Sequence, residues 1–94
     1  MIAKKKIYVL YILELGNGAY YTGITTNLEK RLEAHRMGKG SKYVRAHLPI
    51  KIIYTRNVEG RSAASKLEAA IKKLTRSEKE KLINGSKNMD LSLK

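Results

Sequence analysis

Two tyrosines, an arginine, a histidine and a glutamate carry the chemical interest of this sequence: Tyr11, Tyr21, Arg31, His35 and Glu68. A phenol and an imidazole can pass a proton between them, and a guanidinium grips an oxyanion with a planar fork of donors. A carboxylate can hold a hard divalent cation through oxygen. Such a set suits a reaction in which negative charge builds on oxygen. Taken singly, each residue also has a structural reading. Strand tyrosines usually pack with the hydroxyl reaching water, Arg31 and His35 could flank a solvated helix, and a lone Glu commonly pairs with a Lys. Only their arrangement argues for more.

That arrangement rests on the elements that hold them. Ile7 to Leu15 (IYVLYILEL) is apolar on both alternating faces, which predicts a central strand with cover on each side. Val9, Tyr11 and Leu13 share one face; Tyr8, Leu10 and Ile12 share the other. Gly16-Asn17-Gly18 supplies positive-φ residues for a tight hairpin, and Ala19 to Thr25 returns as the second strand. A turn centred on Asn17-Gly18 makes Tyr11 and Tyr21 near neighbours. Gly23 marks a bulge or a close approach to the backbone. Thr26 to Glu29 has the form of a capping box, opening a helix that runs to about Met37 and stops at Gly38. Arg31 and His35, four residues apart, share one side of that helix.

Residues 39–49 read as a basic loop with a helical turn around Ser41 to Ala46. Ile50 to Val58 is a third strand with Ile50, Ile52 and Tyr54 on one face. A helix follows from about Ser62 to Leu74, with Glu68 at the edge of an apolar face made by Ala64, Leu67, Ile71 and Leu74. Thr75 to Glu78 is a second capping box, and Asn84-Gly85 is a fitting C-cap for the helix it opens. The expectation is an α+β fold: a three-stranded antiparallel sheet flanked by helices, in the order β-β-α-β-α-α. One domain covers residues 1–85, and residues 86–94 form a disordered tail.

Charge narrows the partner. Twenty Lys+Arg against eight Asp+Glu give a net charge of +12, a field that attracts polyanions. No acid falls between Glu33 and Glu59, where Arg36, Lys39, Lys42 and Arg45 are the candidate nucleic-acid contacts. A merely solubilising surface is the plainer alternative. No helix pairs a bulky apolar face with a dense basic one, and no run is long enough to span a bilayer, so a membrane is not the expected partner. The sequence has no Cys and its start lacks a secretory pattern, which suits the cytoplasm.

The motifs resemble those of the GIY-YIG nucleases, most closely the small stand-alone bacterial members. Val9-Leu10-Tyr11 stands for the first motif, keeping its Tyr but not Gly-Ile, and Tyr21-Thr22-Gly23 for the second. Arg31 and His35 follow Tyr21 by ten and fourteen residues, and Glu68 lies in the second long helix. The run from Tyr20 to Arg31 and the later Gly38-Lys39-Gly40-Ser41-Lys42-Tyr43 extend the likeness, which covers Ile7 to Asn84.

The resemblance implies a DNA endonuclease dependent on one Mg²⁺ or Mn²⁺ held by Glu68. Arg31 would clamp the phosphate and Tyr11 would activate water, its pKa lowered by Arg31, His35 and the basic surroundings, with Tyr21 in the same network. These five side chains are expected to meet in one solvent-open, positively charged concavity. Lys42 and Arg45 would reach flanking phosphates. Asn84 is the available match to a late family Asn, although a C-cap role accounts for it. Two other readings stand beside this one: a GIY-YIG fold that binds DNA or RNA without cutting, targeted by a partner protein, and a small RNA-assembly protein.

Overall fold

The computed structural model describes residues 5–92, with side chains through residue 85. Seven elements follow one another: β1 (Ile7–Leu15), β2 (Tyr20–Thr25), α1 (Leu28–Arg36), α2 (Lys42–Ala46), β3 (Ile50–Glu59), α3 (Arg61–Lys72) and α4 (Arg76–Ser92). The strands form one antiparallel sheet in the order β2-β1-β3. The doubly apolar strand is therefore central, as its composition demands. Tyr11, Leu13 and Leu15 pack under Leu32 of α1 and Val44 of α2, while Leu10 and Ile12 pack under Ile71 of α3 and Ile83 of α4. Leu10, Tyr11, Ile12 and Leu13 are wholly buried. Each such side chain contributes about 1.5–3 kcal/mol, so this strand anchors both layers.

The hairpin uses one positive-φ residue. Gly18 N–H donates to the Leu15 carbonyl at 2.8 Å, Leu15 N–H to the Ala19 carbonyl at 2.9 Å, and Gly18 has φ 84°. This is a three-residue loop closed by a left-handed glycine. Its register pairs Tyr11 with Gly23 and Leu13 with Tyr21, so the two tyrosines share a face, two residues out of step. Arg76 pins α4 to the same end: its guanidinium donates to the Gly18 carbonyl at 2.8 Å and lies 3.6 Å over the Tyr20 ring.

Three local expectations are corrected. Asn27, not Thr26, is the N-cap of α1, its side chain accepting from Lys30 N–H at 3.0 Å. Asn caps at least as well as Thr, and Thr25 Oγ already turns the chain by accepting from Asn27 N–H. In β3 the pairing steps from Ile12↔Tyr54 to Leu13↔Ile52, leaving Ile53 as an extra residue. That bulge breaks the alternation. Ile50 joins the Tyr11 layer, Tyr54 joins the Leu10 layer, and Ile52 is exposed. Finally, α4 runs through Asn84 and Gly85 to Ser92, so Gly85 is a mid-helix residue and not a C-cap. A single helical Gly costs about 1 kcal/mol, and the helix continues despite it. The capping box at Thr75 forms as expected, with reciprocal bonds between Thr75 and Glu78 at 2.8 and 3.1 Å.

Candidate active site

Tyr11 points from mid-β1 across the paired strand, and it can do so only because position 23 has no side chain. A Cβ built on Gly23 would lie 2.5 Å from the Tyr11 hydroxyl. The phenol passes over this gap to reach α1. There its oxygen lies 3.0 Å from His35 Nε2 and 3.4 Å from Arg31 Nε. Both partners sit on one side of α1, as their spacing requires. Tyr21 closes the cluster, its ring edge-on to His35 with centroids 5.4 Å apart.

His35 is cradled in turn by the loop after α1. A Cβ on Gly40 would lie 2.5 Å from His35 Nδ1. Among the described residues Nδ1 is buried without a hydrogen-bond partner, and the ring's one polar contact is Tyr11. The burial has an electrostatic consequence. Desolvation first, and then the positive Arg31, push the His35 pKa below its ordinary value. At neutral pH the ring is uncharged and can accept a proton.

Tyr11 departs from expectation. Its pKa is raised, because burial outweighs the hydrogen bond and charge of Arg31, which lower it. The expectation of a lowered value counted positive neighbours but not desolvation, and the neutral His35 adds no positive charge.

Glu68 comes from the opposite layer, on α3. Its carboxylate is close enough for its negative charge to raise the Tyr11 pKa further. It is partly exposed and pairs with Lys72 at 3.3 Å, one turn along the same helix. Among the described residues no group of three or more His, Cys, Asp or Glu side chains stands together. A single accessible carboxylate still fits Mg²⁺ or Mn²⁺, which keep several waters and take substrate phosphate oxygens as ligands.

Tyr11, Tyr21, Arg31 and His35 are thus brought together, with Glu68 within electrostatic range. They do not line one open concavity. Tyr11 and His35 are fully buried, and Arg31 alone of the five borders the adjoining groove, with Thr25, Thr26, Asn27, Lys30 and Ala34. Arg36, Lys39, Lys42 and Arg45 are exposed around the end of α1 and along α2. Asn84 is exposed on α4, next to Ile83 of the opposite layer, and takes no part in the cluster. Two participants escape sequence reading. Gly40 matters through the space it leaves, which needs coordinates, and Lys30 was signalled only by its place beside Arg31.

His35 gives a stability prediction. In the unfolded chain it titrates near its ordinary value of about 6.5; in the fold it resists protonation. Below about 6.5 the unfolded state therefore binds more protons, and stability falls with pH until the folded His35 titrates too. Urea unfolding midpoints should decline from pH 7 to pH 5 in the wild type. The decline should be visibly flatter in His35→Gln; parallel curves would show that other groups set the pH dependence.

Comparison with known proteins agrees with this geometry. The model of the GIY-YIG catalytic domain matches residues 6–82. A UPF0213 protein of Streptococcus pneumoniae is 42% identical over 84 residues, covering 89% of this chain and 83% of its own length. A UPF0213 protein of Bacillus cereus is 40% identical over 77 residues, covering 82% and 80%. Among solved structures, a protein of E. faecalis aligns with TM-score 0.62 and 42% identity, over 89% of this chain and 90% of that one. A UPF0213 protein of Bacillus halodurans aligns with TM-score 0.56 and 36% identity, over 83% of each. A family model over most of the chain, and relatives of 40–42% identity over more than four-fifths of it, show that the chain belongs to the GIY-YIG catalytic domain family.

Proposed function

We propose that this chain is a DNA endonuclease, dependent on one divalent metal ion, that hydrolyses phosphodiester bonds and serves DNA repair or processing. One observation carries the reading: a buried phenol oxygen held between a neutral imidazole and a guanidinium that borders a groove. A tyrosine serving only to pack would not require a glycine opposite it and two polar partners at its tip.

The residues divide the work. Arg31 uses Nε on Tyr11, and its planar fork offers further donors to grip a non-bridging phosphate oxygen in the groove. Tyr11 in its deprotonated form accepts the proton of the attacking water, its oxygen held by His35 Nε2 and Arg31 Nε, and Tyr21 keeps the imidazole in place. As the new phosphorus–oxygen bond forms, the bond to the 3′ oxygen breaks. Glu68 would hold Mg²⁺ or Mn²⁺, which when bound supplies positive charge for the phosphate and the departing oxygen. Arg36, Lys39, Lys42 and Arg45 add sequence-independent grip on the backbone, and a partner protein supplies targeting.

The test is cleavage of branched, flapped, single-stranded and duplex DNA across a Mg²⁺ or Mn²⁺ titration. Glu68→Gln should need roughly tenfold more metal for half-maximal rate, on the order of the loss seen when a metal site is weakened. An unchanged metal requirement would remove Glu68 from the role. The complete burial of Tyr11 favours a second reading, in which the domain binds nucleic acid, DNA or RNA, without cutting. Absence of turnover on every substrate would select it.

A further inference from the structure

Tyr43 stands half exposed at 48% on α2, inside the stretch without acids, yet its ring is fixed. Asn17 Nδ2 donates to its hydroxyl at 3.3 Å, and Asn17 is itself held by Ala19 N–H at 3.1 Å. The His47 ring leans on it, centroids 4.7 Å apart and planes at 58°. Its neighbour Val44 is sunk in the core, and Ser41 caps the short helix. Lys42 and Arg45 lie exposed on the same helix, and among the described residues neither is in an ion pair. A ring that buries little and is nevertheless pinned from two sides is a preorganised surface.

We propose that the Tyr43–His47 pair is a stacking platform for an unpaired nucleotide, whose flanking phosphates engage Lys42 and Arg45. Stacking on an aromatic ring needs a free base face, which a continuous duplex does not offer. The cationic surroundings favour a nucleic acid over a protein segment. The platform is close to the reacting cluster. Gly40 lies against His35, and three residues from Gly40 to Tyr43 span at most about 10 Å. At a rise of 3.4 Å per nucleotide, that span is no more than about three nucleotides. The inference rests on the nucleic-acid reading above and deepens it: the preferred substrate carries a single-stranded segment beside the cut.

Binding measured in EDTA separates this from cleavage. The probes are a single-stranded oligonucleotide containing 2-aminopurine and its blunt duplex. Wild type should bind the single strand and quench its fluorescence; Tyr43→Phe keeps the π-face and should still quench, binding somewhat more weakly for loss of the Asn17 bond. Tyr43→Leu, which keeps bulk but has no π-face, should bind it about tenfold more weakly with duplex binding unchanged. Equal weakening on both probes, or none on either, would overturn the platform. Should Tyr43→Leu not fold, the wild-type signal decides alone, since a bound probe that stays bright refutes stacking. Absence of binding to either probe would instead bring down the nucleic-acid reading beneath it.

Discussion

Tyr11→Phe is expected to lower DNA cleavage by about 10²–10⁴-fold, the range lost with a general base, while the fold persists. Phe keeps the buried ring over Gly23 and removes only the oxygen between His35 and Arg31. His35 Nε2 then loses its Tyr11 partner, a cost of about 1–3 kcal/mol in stability. The wild-type pH profile should carry the signature of the same group. A base acts in its deprotonated form, and the raised Tyr11 pKa places that form above the ordinary value of about 10. The rate should therefore climb close to tenfold per unit through pH 7–9 without levelling. A plateau beginning at or below about 6.5 would instead mark His35, whose pKa is lowered. That outcome would sink the assignment of Tyr11 as the base.

Much of this site was legible in the residues because it rests on periodicity. Alternation in Ile7–Leu15 fixed which face carries Tyr11, the hairpin glycines fixed the register that brings Tyr21 beside it, and i, i+4 spacing put Arg31 and His35 on one helical side. What escaped were quantities that depend on three-dimensional closeness. The Ile53 bulge breaks a rule of alternation, and only the partner strand reveals it. The Tyr11 pKa turns on whether burial or charge dominates, and sequence reports charge without depth. Asn27 and Thr26 both suit a cap; the choice fell to the turn that Thr25 makes one step earlier. Asn84-Gly85 reads as a helix end by local chemistry, yet Leu82 and Ile83 pack on the sheet and α4 continues through the glycine. Tertiary contact overrode a local preference there.

Gly23→Ala should be the most damaging one-carbon change near the site, reducing cleavage by about 10²-fold, the scale of a 1 Å misplacement. The added methyl would sit 2.5 Å from the Tyr11 hydroxyl and 2.6 Å from Cζ, distances no relaxed structure keeps. Gly23, on the edge strand β2, is the direct cross-strand partner of Tyr11 on the central strand, so the two strands cannot spread without breaking their ladder. The phenol must swing off the strand, and its bonds to His35 and Arg31 go with it. Overpacking of this kind costs about 1–3 kcal/mol in stability. A double substitution distinguishes collision from a general weakening of β2. With Tyr11→Leu the ring is gone, and Gly23→Ala should then cost far less stability than it does in the wild type, a coupling readable in a double-mutant cycle. Additive losses in urea unfolding would mean that the glycine is needed by its own strand and not by the tyrosine above it.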